Sequence, residues 1–252
     1  MAGDDLVFDG SQRTANVNDY SPNTSFASIT FASDGFSISG NRLALTDSLS
    51  VDAGVVGSEI ALNVVVTNDL DVDVVGTALE LKGVLSGSNG IDKLGSGVLV
   101  FGGANSYSGI TTVSDGMLRV DDGGAIGTGA IINNSETAFN LSNNFYYAGA
   151  ISGSGKLIHQ GSGTLTLGGA NTYSGGTTIT SGTLAVGNVF GAGDLGTGSI
   201  SNDGSLVFNR FGSTAINDVI SGSGSLTHKL GTLTLSADNT YSGSTVVGGT
   251  RR

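Results

Sequence analysis

Hydrophobic and polar residues alternate along most of this chain, and glycine cuts the alternation every few positions. In Thr164-Leu165-Thr166-Leu167 and Thr232-Leu233-Thr234-Leu235 the leucines fall on one face and the threonines on the other; Thr183-Leu184-Ala185-Val186 follows the same scheme. A period of two predicts short strands with one buried face. No apolar pattern of helical spacing persists for three turns, and glycine interrupts every candidate helix, so no substantial helix is expected. Residues 1–83 keep the same grammar without clear copies of the later blocks. Phe26, Ile29 and Phe31, then Phe36 and Ile38, then Leu43, Leu45, Leu49 and Val51 sit in short runs broken by Ser-Asp-Gly, Ser-Gly-Asn and Asp-Ala-Gly. Residues 60–66 and 70–74 continue the strands.

Longer blocks recur in fixed order. Ile-Ser-Gly-Ser-Gly at 151–155 returns at 220–224 and is echoed by Leu-Ser-Gly-Ser at 85–88, giving offsets of 151 − 85 = 66 and 220 − 151 = 69. GSGVLVFGGANSYSG at 95–109 matches GSGTLTLGGANTYSG at 161–175 and LGTLTLSADNTYSG at 230–243. TTVSDGMLRV at 111–120 returns as TTITSGTLAV at 177–186 and begins again as STVVGGT at 244–250. A repeat of about 67 residues suits roughly three solenoid coils of about 20 residues better than propeller blades of about 40–50 residues. The expected fold is therefore all-β: a right-handed parallel β-helix of about eleven coils, stabilised by stacking of neighbours. Residues 1–20 are expected to form an irregular cap and 21–252 a single β-helix. Its parts would be degenerate coils over 21–84, repeat one over 85–150, repeat two over 151–219 and an incomplete repeat three over 220–252. A propeller is the competing architecture.

The block GSGTLTLGGANTYSGGTTITSGTLAV resembles the autotransporter passenger-associated β-strand repeat, with its Gly-x-Leu-x-Leu strand, Gly-Ala-Asn-x-Tyr-x-Gly corner, Thr-Thr-Val and Gly-x-Leu-x-Val. Residues 91–120 and 157–186 carry it nearly whole and 226–250 incompletely. The resemblance implies a non-catalytic structural segment of a bacterial surface or secreted protein. It would assist export and display, and would support adhesion or self-association. It transfers no catalytic residue, cofactor or metal ligand. The third copy breaks off at Gly249-Thr250-Arg251-Arg252, so the sequence is expected to be part of a larger chain, and no run of amphipathic strands suited to a membrane barrel is expected within it. Its start, Met1-Ala2-Gly3-Asp4-Asp5, has neither the basic region nor the apolar stretch of a signal peptide, which an exported precursor would have carried elsewhere.

Composition narrows the partners. Glycine is 43 of 252 residues, and charged residues are only 12%, as suits a chain of short strands and frequent turns. The net charge of -11, from 21 acidic and 10 basic residues, argues against nucleic acid and against anionic lipid. Self-association, or a glycan or protein ligand on a host or cell surface, remains. With no cysteine there is neither a thiolate metal site nor a cysteine nucleophile.

Candidate chemistry is sparse. Lys93, His159 and His228 occupy equivalent positions, and a place that accepts Lys, His and His reads as an outward, solvated ladder. Asp69, Asp71 and Asp73 alternate with Leu70, Val72 and Val74, an arrangement read as a solvated polar face; calcium, which favours such oxygens, is the other reading. A polysaccharide-binding or polysaccharide-cleaving β-helix is the main alternative function, and it needs clustered carboxylates. Glu59, Glu80 and Glu136 are scattered without repeat logic, Arg119 and Arg210 are isolated, and tryptophan is absent. Asp121-Asp122-Gly123-Gly124 reads as a turn. Tyr107, Tyr173 and Tyr241 are expected to pack over their own loops, tying the Asn105, Asn171 and Asn239 turns to the coil; an exposed aromatic strip is the alternative.

Overall fold

The computed structural model describes residues 3–11, 14–187 and 193–248. It is an all-β parallel solenoid of about twelve turns, with no helix among the described residues. The chain divides into two compact units, residues 1–135 and 136–252.

In the first unit one sheet stacks Asp4–Phe8, Thr24–Phe31, Leu43–Val51, Leu70–Val74, Ile91–Leu94, Thr111–Val113 and Ile131–Asn133, in that order. A second stacks Ala15–Asn18, Ser37–Gly40, Ser58–Ile60, Ala78–Leu81, Val98–Phe101 and Met117–Asp121. In the second unit one sheet runs through Glu136–Asn140, Lys156–His159, Thr177–Ile179, Ile200–Asn202 and Ile220–Ser221. The other contains Phe145–Tyr147, Thr164–Leu167, Thr183–Val186, Ser205–Ile216, Ser225–Leu235 and Thr245–Val247. Each strand pairs in parallel with strands one turn away, as Leu99 does with Leu79 and Leu118. Propeller blades pair consecutive strands antiparallel, so this pairing excludes them.

The period-two alternation decides what lies inside. Leu165 and Leu167 are fully buried, while Thr164 and Thr166 face outward and are partly exposed. In-register stacking turns these positions into columns: Phe145, Leu165, Leu184, Leu206 and Leu226 follow one another, as do Tyr147, Leu167, Val186 and Phe208. Each such side chain contributes about 1.5–3 kcal/mol on burial. The first unit builds its columns in the same way, Phe31 stacking on Val51 and Val51 on Val74.

The third copy of the repeat folds differently from the first two. His159 and Thr164 are separated by the Gly161-Ser162-Gly163 turn, whereas His228 and Thr232 are one residue closer and the turn is reduced to Leu230-Gly231. Here the counterparts of the two short strands of the second copy are merged into Ser225–Leu235, which pairs with the comparably long Ser205–Ile216 across a register irregularity at Asn209.

Replacing Leu165 by Ala is expected to cost about 2–5 kcal/mol. The outward Thr164→Ala change should stay within about 0.5 kcal/mol. The difference is read from the two urea-unfolding midpoints.

Candidate functional site

The most distinctive side chains of the repeat lie at its Asn-x-Tyr corner. Asn105 Oδ1 accepts the Leu85 amide at 2.8 Å, and Asn105 Nδ2 donates to the Ala125 carbonyl at 2.9 Å. Those partners belong to the coil before and the coil after, each 20 residues away (105 − 85; 125 − 105). Asn171 does the same with the Ile151 amide at 2.8 Å and the Asp194 carbonyl at 2.7 Å. A carboxamide both accepts and donates from one planar group; Asp could not donate and Leu could do neither. Asn239 accepts the Ile220 amide at 2.8 Å, but its Nδ2 turns back to the Ala237 carbonyl of its own corner.

The tyrosine two residues on completes the corner. Tyr107 and Tyr173 are fully buried, and their hydroxyls pair with Thr111 at 2.6 Å and Thr177 at 2.8 Å. Burial pushes the Tyr107 phenol up to about 12 and raises that of Tyr173 as well. The following coil crosses the rings at Gly127 and Gly196, where a Cβ would lie 2.7 and 2.6 Å from a ring carbon. These tyrosines are therefore packing residues, as the loop-tying reading expected; buried rings cannot form an exposed strip. Tyr241 keeps its bond to Thr245 at 2.6 Å and is partly exposed.

The Lys93, His159 and His228 positions require a correction: they face inward. Lys93 and His159 are completely buried and His228 is 8% exposed. Their register neighbours are apolar: Val72 and Val113 for Lys93, Phe139 and Ile179 for His159, Phe208 and Val247 for His228. The Lys93 ammonium reaches the carbonyls of Leu94 at 2.7 Å, Gly95 at 2.6 Å and Asp115 at 3.2 Å. Burial pulls its pKa down to about 8, against the pull of the Asp115 and Asp73 charges. His159 Nε2 donates to the Gly163 carbonyl at 3.1 Å. Exchange of Lys for His had suggested tolerance to solvent. The signal that was missed is local: Lys93, His159 and His228 each stand two residues after an inward apolar residue, Ile91, Leu157 or Leu226, and so on the same strand face.

The acidic residues are distributed as follows. Asp71 and Asp73 do point outward from Leu70–Val74, with Leu70, Val72 and Val74 buried beneath. Asp69 precedes the strand, and its carboxylate accepts the Gly90 amide at 2.6 Å. Asp71 lies in register with Asp92, and both border a shallow groove with Asn89 and Thr112. Among the described residues no group of three or more His, Asp and Glu side chains is placed to hold a metal ion. Asp121–Gly124 is a turn, closed by the Gly124 amide on the Asp121 carbonyl at 2.8 Å. Arg119 forms a bidentate pair with Asp121 at 2.9 and 2.8 Å, and Arg210 pairs with Asp194. Glu59 and Glu80 are not scattered: their separation of one coil (80 − 59 = 21) puts them in register, and Lys82 bridges them at 2.6 and 3.6 Å.

The passenger-associated transport repeat family matches residues 91–120, 157–186 and 230–250, so the chain carries this repeat three times. The adhesin BmaC autotransporter of Brucella suis biovar 1 (strain 1330) is 51% identical over 55 residues, 22% of this chain. The chain thereby spans about 2% of the length of that relative. No solved structure matches the chain. Among the described residues no helix is long and apolar enough to cross a membrane.

Asn171→Ala strands one buried donor and one acceptor and should cost about 2–4 kcal/mol in chemical denaturation. Asn239→Ala, which joins fewer coils, should cost roughly half of that. Lys93 titrates near 8 when folded and near 10.5 when unfolded, so from pH 8 upward the unfolded chain holds the proton more firmly. Stability of the first unit should therefore rise with pH between about 8 and 10, by at most about 1.4 kcal/mol per pH unit, before tyrosine ionisation in the unfolded chain opposes it. Lys93→Met should abolish that rise.

Proposed function

We propose that this chain, built on passenger-associated transport repeats, is a non-catalytic stretch of an autotransporter-type passenger exposed on or released from a bacterial surface. It supports export and display there, and it provides outward faces for adhesion or self-association. The observation that carries this reading is the use made of the repeat's own polar residues. Asn105, Asn171, Tyr107 and Tyr173 are spent on joining consecutive coils and on buried hydroxyl pairs, which leaves them no reactive role. The matched family and the adhesin relative point the same way. The coils wind to the right in this reading, the hand taken by about 98% of parallel crossover connections; a solved structure with left-handed coils would overturn that assignment.

The outward positions include ladders of Ser, Thr and Asp. In the first unit Asp5, Ser28, Ser48, Asp71, Asp92 and Thr112 follow one another up a single face. That face, with a net charge of -11 on the chain, suits a glycan or protein ligand better than phosphate-rich partners.

The test uses the full-length protein on intact cells. Replacing Asn105, Asn171 and Asn239 together by Ala should lower severalfold the passenger accessible to added protease, at unchanged synthesis. An unchanged surface level would contradict the export and display role. Polysaccharide turnover lost in Glu59→Gln and Glu80→Gln would replace this reading with the enzymatic one.

A further inference from the structure

The first two repeats solve the same internal problem in different ways. In repeat one the Leu94 and Gly95 carbonyls of the Gly-Ser-Gly turn are satisfied by the Lys93 ammonium, and Asp115 stands beside it. The equivalent carbonyls in repeat two, Gln160 and Gly161, accept the Ser181 hydroxyl at 2.8 and 3.1 Å. Ser181 holds the place of Asp115, and His159 that of Lys93. The pair has been exchanged as a unit: a cation with an acid in one repeat, a neutral ring with a hydroxyl in the next.

That exchange makes a second proton on His159 costly: the ring is buried, and the backbone acceptor beside it, the Phe139 carbonyl, already takes the Gln160 amide. Its Nε2 donates to Gly163, and its Nδ1 is buried without a partner. The corresponding carbonyls are already engaged, Gln160 and Gly161 by Ser181 and Phe139 by the Gln160 amide, so a charged ring would share an acceptor and gain no free one. The charged side chains on the strands packed about the ring are Glu136 and Lys156, register partners that stand three residues from Phe139 and His159 and so point to the opposite face. Thr177–Ile179, the paired strand on the other side, brings none.

We propose that His159 is an acid-sensitive latch on its coil: neutral, it closes the turn 160–163, and taking up a proton at Nδ1 releases it. Burial lowers the pKa of the ring from 6.5, with the backbone of Gly163 and Phe139 opposing. Below about pH 6.5 the unfolded coil therefore binds the proton more readily than the folded one, and closure weakens as pH falls. Lys93 shows what a cation has at this position: three carbonyl acceptors. This inference is independent of the proposed export role.

The experiment is hydrogen exchange on the whole chain at pH 7.5 and 5.0, corrected for intrinsic rates, read at the Gln160, Gly163 and Thr180 amides. In the closed coil these bond to the carbonyls of Phe139, Leu141 and His159. The unaltered chain should open at least tenfold more often at pH 5.0. His159→Phe should remove that increase, and His159→Lys combined with Ser181→Asp, which transplants the repeat-one pair, should remove it too. The same tenfold increase in either variant would overturn the latch. Should a variant fail to fold, the unaltered chain decides by NMR: His159 ring protonation must coincide with loss of the Gln160 and Thr180 amide protection, and protonation without that loss overturns the proposal.

Discussion

A solenoid coil cannot satisfy its own backbone. Its strands are short, run in parallel and lie about 4.8 Å from their neighbours, so the strand amides and carbonyls of each turn find their partners in the turns before and after. Every other feature of the molecule follows from that dependence. Inward residues must stack in register columns, because each coil supplies one layer of a shared core. Corners must bring successive backbones close together, which is why glycine stands over Tyr107 and Tyr173. Where the chain leaves a strand and loses its ladder, a side chain has to take over. The carboxamides of Asn105 and Asn171 do so in both directions at once.

Much of this was legible in the sequence, for a physical reason. Repetition makes each copy report on the same environment, so Leu165 with Leu233 and Asn105 with Asn171 argue together for strand faces and corners. Strand faces were readable because a period of two leaves little freedom. What escaped was relation between coils. Glu59 and Glu80 looked scattered because their meeting depends on a coil length of 21 residues, which is not evident in the degenerate early turns. Lys93, His159 and His228 were assigned outward because charge weighed more than position. The strand face decided otherwise, and the turn carbonyls made burial of Lys93 tolerable. The third copy is one residue shorter between His228 and Thr232, and its long strand pairs with the comparably long Ser205–Ile216, a relation its own block does not reveal.

The same constraint shapes the functional reading. A repeat whose polar residues are committed to coil joining has little left for chemistry, and what it offers to partners is the intervening outward Ser, Thr and Asp positions. The columns are also where the repeats can differ without losing the fold. The exchange of Lys93 and Asp115 for His159 and Ser181 preserves the satisfaction of two carbonyls while changing how the coil answers to protons.

The claim on which all this rests is the in-register parallel stacking of successive coils, and cysteine cross-linking tests it directly because the chain has no cysteine of its own. Thr166 and Ala185 are outward register partners on adjacent coils. Cysteines placed there by Thr166→Cys and Ala185→Cys should form a disulfide readily under mild oxidation, since in-register parallel strands hold Cα atoms about 5 Å apart. The slipped pair Thr166→Cys with Thr183→Cys should remain largely reduced. Equal cross-linking of both pairs, or preference for the slipped one, would contradict the stacking register and the account built on it.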